Sequence, residues 1–196
     1  MRAFIGVPLP AGVCEALTTL QRELAQAQAD VTWVAPEQLH VTLKFLGEIT
    51  ETQRLTVEAM LVQVAAHHKP FKVSVKDLGV FPALAAARIV WVGLAQGAEA
   101  LTQIAVEIEQ GCQVAGFTPE NRPFTAHVTL GRVRSSRHRE ALVSRLPRAC
   151  WQPPEPWQVD RLTLYQSSLD SNGPHYTVLV QPSLGRKPLR KEDTWG

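Results

Sequence analysis

Cysteines are scarce in this sequence, and none stands at a spacing typical of a metal site. The three are Cys14, Cys112 and Cys150, with no CxxC pair and no Cys/His cluster. An odd count without a pairing pattern argues against a disulfide framework and is typical of a protein kept in a reducing compartment. We therefore expect a cytoplasmic protein that needs no metal or other cofactor.

Long apolar runs are also missing. The N-terminal segment MRAFIGVPLP has one short apolar run, which Pro8 and Pro10 break, so it is too short for a signal peptide. No other stretch approaches the roughly 20 apolar residues that cross a bilayer. We expect a soluble, intracellular protein without a membrane partner.

Charge of one sign is not in excess either. The formal net charge is +2 and 45% of residues are hydrophobic, so the chain can bury a real core, and its total charge neither requires nor forbids nucleic acid. Arginines do gather locally, in RVRSSRHRE from Arg132 to Glu140. That segment is either a solvated loop before a helix or a surface that faces phosphate, and its composition leaves both interpretations open.

Hydrophobic periodicity predicts a mixture of helices and strands. Helices are expected over residues 12–30, behind a capping box at 50–53, around 101–108 and over 139–146. Strands are expected at residues 2–7, 31–34, 71–75, 87–94, 159–165 and 176–180, with a loop at 111–123. This order indicates an α+β fold with antiparallel or mixed sheets. We expect one two-lobed domain over residues 1–184 and a polar tail at 185–196.

The tetrapeptide HVTL occurs twice, starting at His40 and at His127. Alternation along a strand places His40, Thr42 and Lys44 on one face and Val41, Leu43 and Phe45 on the other. His127 and Thr129 share a face in the same way. A single HVTL is an ordinary strand, but two copies suggest a paired function. Neither has the HxH or HExxH spacing of a metal site, and no GxSxG occurs for a serine nucleophile.

Two strands of this kind, facing each other across a groove, would place one imidazole on each side of a reacting atom. One imidazole can accept a proton while the other donates one near neutral pH. The threonine hydroxyls can donate hydrogen bonds to non-bridging oxygens. This arrangement suits in-line displacement at phosphorus, and a strained 2′,3′-cyclic phosphate would react without a metal ion.

The sequence resembles the two-histidine (2H) phosphoesterase superfamily, and in particular its LigT-type RNA 2′,3′-cyclic phosphodiesterase branch. The paired HVTL motifs carry the resemblance. Flanking segments support it in order along the chain: RAFIGVPLP, LHVTLKFLGEI, RIVWVGL, NRPFTAHVTLGRVR and LTLYQSSLDSNGPHYTVL. The resemblance implies a two-lobed α+β fold with outer helices around a central groove that holds both HxT motifs. It also implies metal-independent opening of RNA terminal 2′,3′-cyclic phosphates to 2′-phosphates.

The resemblance implies specific roles. His127 would be the general base and His40 the general acid, while Thr42 and Thr129 would bind phosphate oxygens. Arg132 would also contact phosphate. It lies at odd spacing from His127, so a twist or bulge at Gly131 would be needed to turn it into the groove.

Three aromatic residues are candidates for stacking on a base. Phe124 precedes the second motif in a loop, and Tyr165 lies at a strand end. Phe45 falls on the apolar face by alternation, which favours a place in the core.

Two other functions stay open. A 2′-5′ RNA ligase could use the same fold and the same histidines. A non-catalytic nucleotide- or RNA-binding module is the second alternative, although such a module would be expected to have lost one of the motifs. We expect a monomer that acts on RNA ends or small cyclic nucleotides.

Overall fold

The structure is a computed structural model that describes residues 1–170 and 173–186. Of the polar tail expected at 185–196, residues 187–196 lie outside the described part. No helix within the described ranges is both long and apolar enough to cross a bilayer.

Four α-helices and ten strands are found in the described part of the chain. In chain order they are β1 Arg2–Pro8, α1 Ala11–Ala25, β2 Val31–Trp33, β3 His40–Glu48, α2 Glu51–His67, β4 Phe71–Val73, β5 Val75–Phe81, β6 Ile89–Leu94, α3 Ala98–Val114, β7 His127–Val133, α4 Arg139–Arg145, β8 Trp157–Val159, β9 Thr163–Asp170 and β10 Gly173–Val180.

Eight of the strands form one sheet, in the order β10-β9-β1-β3-β7-β6-β5, and β2 also pairs with β7. Strands β4 and β8 form a separate two-stranded sheet. Every pairing is antiparallel. The α+β class with antiparallel sheets is therefore confirmed, and the two motif strands, β3 and β7, are neighbours at its centre.

Strands β3 and β7 meet at one registered pair, Val41 with Val128. On either side of this pair each strand bonds mainly to its own lobe. Strand β3 pairs with β1 along its length, and β7 pairs with β6 and, at its far end, with β2. The sheet consequently opens into two lobes about the Val41–Val128 contact.

Helices pack against one face of the sheet, and the opposite face carries the histidines and threonines of the two motifs. The buried face includes Val41, Val90, Val92, Val128 and Leu130, which join one hydrophobic core with apolar residues of α1 and α3. Because side chains alternate along a strand, His40 and Thr42 point away from this core, as do His127 and Thr129.

The predicted helices need small corrections. Helix α1 ends at Ala25 rather than near residue 30, and α3 continues to Val114, so the expected loop at 111–123 starts later. The capping box is confirmed: Gln53 N donates to Thr50 Oγ1 at 3.2 Å, and Thr50 N donates to Gln53 Oε1 at 3.0 Å.

Two predicted strands are each divided in the structure. The strand expected at 71–75 breaks at Ser74, so that β4 pairs with β8 while β5 joins the main sheet. The strand expected at 159–165 breaks between Val159 and Thr163 in the same way. Apolar alternation cannot reveal such a switch, because Val73 and Val75 are buried on both sides of the break.

Candidate active site

Each HVTL motif is followed by a β-bulge at its leucine. On β3, Thr42 pairs with Gly6 and Lys44 with Ile5, so Leu43 has no partner on β1. On β7, Thr129 pairs with Trp91 and Gly131 with Val90, so Leu130 has no partner on β6. An extra residue at a bulge reverses the alternation of the residues that follow. The two motifs therefore share both their sequence and their local backbone irregularity.

The first bulge overturns the predicted placement of Lys44 and Phe45. Lys44 does not share the face of His40. It is 4% exposed and forms an ion pair with Glu109 of α3 at 2.7 Å on the core side. Phe45 does not lie in the core. It is 60% exposed and lies 6.1 Å from the ring of Phe4, which itself contacts His40.

The second bulge turns Arg132 to the face that carries His127 and Thr129. Arg132 pairs with Ile89, and Thr129 pairs with Trp91 two residues along the same strand, so Arg132 and Thr129 share a face despite their odd spacing. The bulge lies at Leu130, one residue before the position expected at Gly131. Gln21 of α1 supports it, because its buried Nε2 donates to the carbonyl of Leu130 at 2.8 Å.

The two histidines make the same backbone hydrogen bond. His40 Nδ1 lies 2.6 Å from the carbonyl oxygen of Gln38, and His127 Nδ1 lies 2.7 Å from that of Thr125. Each partner is two residues before its histidine. A carbonyl only accepts, so both Nδ1 atoms carry hydrogen. The Nε2 atom of each imidazole is thereby left to accept or donate a proton, and Thr42 Oγ1 lies 2.9 Å from Nε2 of His40.

The register places the histidines on a diagonal. Antiparallel pairing through Val41 and Val128 sets His40 opposite Thr129 and Thr42 opposite His127. Diagonal neighbours in a sheet lie about 7–8 Å apart, a separation that one phosphoryl group can bridge. His40 and Arg132 therefore lie toward one end of this face of β3 and β7, and His127 and Phe45 lie toward the other.

Burial favours the neutral form of both imidazoles. Burial lowers the pKa of His40, the carbonyl of Gln38 raises it, and the charges of His127 and Arg132 lower it further. Burial also lowers the pKa of His127, against the carbonyl of Thr125. The charges of His127 and Arg132 therefore disfavour the imidazolium form of His40.

Aromatic side chains surround both histidines. Phe4 and Tyr176 lie 4.7 Å and 5.4 Å from the ring of His40. Phe81 and Trp91 lie 5.2 Å and 6.2 Å from the ring of His127. Sequence reasoning missed these four residues.

A signal for three of these four does exist in the sequence. Each of these three rings shares a face of its strand with a glycine two residues away; the three are Phe4, Phe81 and Trp91. A Cβ on Gly79 would come within 2.2 Å of the Trp91 ring, and one on Gly93 within 3.2 Å of it. Because Gly79 and Gly93 have no side chain, they leave space for the Trp91 ring.

The two remaining aromatic candidates, Tyr165 and Phe124, differ in their contacts with the histidines. Tyr165 lies within β9 rather than at its end, stacks on Phe4 at 4.9 Å and lies 6.2 Å from His40. Phe124 is half-buried against the hydrophobic core, and no ring contact to either histidine is found for it in the described part of the chain.

A cavity of about 760 Å³ opens beside His40. Its lining includes His40, Tyr165 and Tyr176, together with residues of α1 and residues 36–39. Its size is within the range of small-molecule sites. Within residues 1–170 and 173–186, no group of three His, Cys, Asp or Glu side chains is arranged to hold a metal ion.

Comparison with known sequences places the chain in one family. A family model of the 2′-5′ RNA ligase superfamily matches residues 9–171. A protein of Aquifex aeolicus named RNA 2′,3′-cyclic phosphodiesterase is 33% identical over 94% of this chain and 98% of its own. A protein of the same name from Methanothermobacter thermautotrophicus is 32% identical over 90% of this chain and 95% of its own.

Solved structures agree with the fold. A crystal structure of a protein from Thermus thermophilus has a TM-score of 0.79 at 29% identity, covering 94% of this chain and 98% of that one. E. coli LigT complexed with 3′-AMP has a TM-score of 0.76 at 26% identity, with the same coverage of both chains.

Proposed function

The chain belongs to the 2′-5′ RNA ligase superfamily, and we propose that it hydrolyses RNA 2′,3′-cyclic phosphates to 2′-phosphates. The observation that carries this function is the pairing of two HxT motifs on adjacent antiparallel strands, with both Nε2 atoms free of the backbone and on one face. Relatives about 30% identical over most of the chain bear the name RNA 2′,3′-cyclic phosphodiesterase, which supports the same conclusion.

The reaction needs one base and one acid. Nε2 of His127 takes a proton from water as the water oxygen forms a bond to phosphorus. Nε2 of His40 gives a proton to the 3′ oxygen as the bond from that oxygen to phosphorus breaks. The products are a 2′-phosphate and a 3′-hydroxyl, and the proton count of the histidine pair is unchanged.

The cavity beside His40 supports this assignment of roles. A space of about 760 Å³ lined by Tyr165 and Tyr176 suits the terminal nucleoside, and stacking of a base on an aromatic ring is worth about 1–3 kcal/mol. The proposed mechanism places the 3′ oxygen of this nucleoside toward His40. Water then approaches from the side of His127. The complex of E. coli LigT with 3′-AMP is consistent with nucleotide binding by this chain.

Binding of the substrate prepares the acid. Burial lowers the pKa of His40 in the free protein, which favours the neutral imidazole. A phosphate anion beside it has the opposite effect, since a nearby negative charge stabilises the imidazolium. Thr42, Thr129 and Arg132 hold the phosphate oxygens, and Arg132 balances their charge.

The test is product analysis on an RNA oligomer that ends in a 2′,3′-cyclic phosphate, with EDTA present. We expect a 2′-phosphate product, and a loss of about 10²–10⁴ in rate for His40→Ala and for His127→Ala. Circular dichroism controls for folding. A 3′-phosphate product, or folded variants that retain wild-type turnover, would contradict the mechanism.

Ligation is the second candidate function of the same site. The family description names a 2′-5′ RNA ligase, and a 5′-hydroxyl of RNA can replace water as the nucleophile opposite the 3′ oxygen. This produces a 2′–5′ linkage from the same two proton transfers. Adding an RNA with a 5′-hydroxyl end to the assay tests it, because the joined product is longer than either reactant.

A further inference from the structure

A group of exposed arginines surrounds the end of β7. Arg88, Arg134 and Arg137 form this arginine cluster; their side chains are exposed, and their backbone positions lie near the end of the strand that carries Arg132. The backbone draws them together: Val133 N donates to the carbonyl of Arg88 at 2.9 Å, and Arg134 N donates to that of Asp30 at 2.8 Å. Asp30 N in turn lies 3.4 Å from the carbonyl of Arg137.

The cluster is not neutralised by the protein. No ion pair of Arg88, Arg134 or Arg137 is found among residues 1–170 and 173–186, although the carboxylates of Asp30 and Glu140 are exposed nearby. Arginines elsewhere do have acidic partners, as the pairs Arg54–Glu58, Arg145–Glu23 and Arg161–Asp160 show. Three like charges left unpaired at one site create a positive potential there.

The cluster lies at the His40 end of the proposed groove. Antiparallel pairing of β3 and β7 places the end of β7 on the same side as His40. Arg132 also shares a face with Thr129, which lies opposite His40, so the arginines lie at the end of the motif face that carries His40. At the other end the equivalent position after the bulge holds uncharged Phe45. The first position after the bulge on the motif face is therefore cationic toward His40 and aromatic toward His127.

We propose that Arg88, Arg134 and Arg137 bind the phosphodiesters of the RNA strand upstream of its terminal nucleotide. This inference rests on the proposed function, in which the terminal nucleoside lies beside His40. The strand then leaves the groove at the cationic end. Arginine suits this role because its planar guanidinium matches phosphate oxygens. The contacts are to backbone and not to bases, so they increase affinity without selecting a sequence.

The experiment compares two substrates. One is 2′,3′-cyclic AMP, which has no upstream phosphate, and the other is a six-nucleotide RNA that ends in a 2′,3′-cyclic phosphate. The variant is the triple substitution Arg88→Gln, Arg134→Gln and Arg137→Gln. The matched control removes the same charge from exposed residues outside the groove-lining strands, as Lys69→Gln, Lys72→Gln and Arg148→Gln.

We expect the arginine variant to lose about tenfold to hundredfold in kcat/KM on the oligomer while turnover of 2′,3′-cyclic AMP is unchanged. Loss of three contacts should also reduce the slope of log kcat/KM against log salt by about two units. The control variant should behave as wild type. An oligomer preference that survives in the arginine variant, or an equal loss on both substrates, would overturn the proposal.

A binding assay separates this inference from the proposed function. Fluorescence anisotropy of a 5′-labelled six-nucleotide RNA with a 3′-phosphate end reports affinity without catalysis. Salt-dependent binding that weakens only in the arginine variant supports the cluster even if wild type hydrolyses neither substrate. Equal binding by wild type and the arginine variant rejects it.

Discussion

Replacing Gly6 by alanine tests how the first motif is positioned. Gly6 lies on β1 and pairs with Thr42 of the first motif. An added Cβ would lie 2.7 Å from the carbonyl oxygen of Val41 and 3.4 Å from Cδ2 of His40. The closer atom is backbone, so no side-chain rotation can relieve the contact.

The size of the effect follows from that distance. Ordinary carbon–oxygen contacts between strands start at about 3.3 Å, so β3 must move by about 0.6 Å at Val41, which lies between His40 and Thr42. A misplacement of about 1 Å can cost about 10²-fold in rate, and we expect kcat/KM on 2′,3′-cyclic AMP to fall about tenfold to hundredfold. Overpacking of this kind should also destabilise the fold by about 1–3 kcal/mol.

Gly12→Ala is the matched control. Gly12 lies in the first turn of α1, and a Cβ there meets nothing within 4 Å. Alanine should stabilise the helix by about 0.5–1 kcal/mol and leave catalysis unchanged. Urea unfolding gives both stabilities, and kinetics are measured well below either unfolding midpoint. Wild-type kcat/KM in folded Gly6→Ala would refute the link between this close approach and the geometry of the motif.

Three further outcomes are expected. The proposed mechanism needs one neutral and one charged imidazole, and burial lowers the pKa of both His40 and His127 below 6.5. We therefore expect kcat/KM to peak below pH 6.5 and to fall on either side. A maximum well above that value would contradict catalysis by this pair. Because bound phosphate raises both pKa values, kcat should peak at higher pH than kcat/KM in the same titrations. Thr42→Val should lower kcat about tenfold with little change in stability, since the hydroxyl near Nε2 of His40 is lost but the shape is kept; unchanged kcat would leave the threonine as a strand residue only. Lys44→Met should cost about 1–3 kcal/mol in urea unfolding, because the carboxylate of Glu109 loses its buried partner, and a variant as stable as wild type would show that the ion pair contributes nothing.

Those features of the fold that depend on local pattern could be predicted from the sequence. The capping box at Thr50 and the α+β order follow from short-range periodicity and turn chemistry. The repeated HVTL motif leads us to expect that His40 and His127 lie together. Composition alone does not predict a contact between the two segments. The divided strands at Ser74 and after Val159 could not be predicted, since a change of sheet leaves the apolar pattern intact.

The bulges limited the prediction of the site. Strict alternation assigns Lys44 to the groove and Phe45 to the core, and both assignments are wrong for one reason, the unpaired Leu43. The same irregularity at Leu130 turns Arg132 to the face of Thr129. A bulge depends on partners remote in sequence, such as the Gln21 side chain on the Leu130 carbonyl. No pattern within the strand itself reports it.

The two motifs are so alike that neighbouring residues must determine the orientation of the substrate. Each supplies a histidine bonded to the carbonyl two residues before it, and a threonine on the same face. Such a pair could in principle work with the substrate in either orientation. The first groove-facing position after each bulge breaks this symmetry, because it holds Phe45 in one copy and Arg132 in the other. The cation and the nucleoside-sized cavity both lie at the end of His40. In the proposed mechanism, an anionic strand bound there presents its leaving oxygen to His40 and leaves the side of His127 to water, and this orientation assigns the acid to His40.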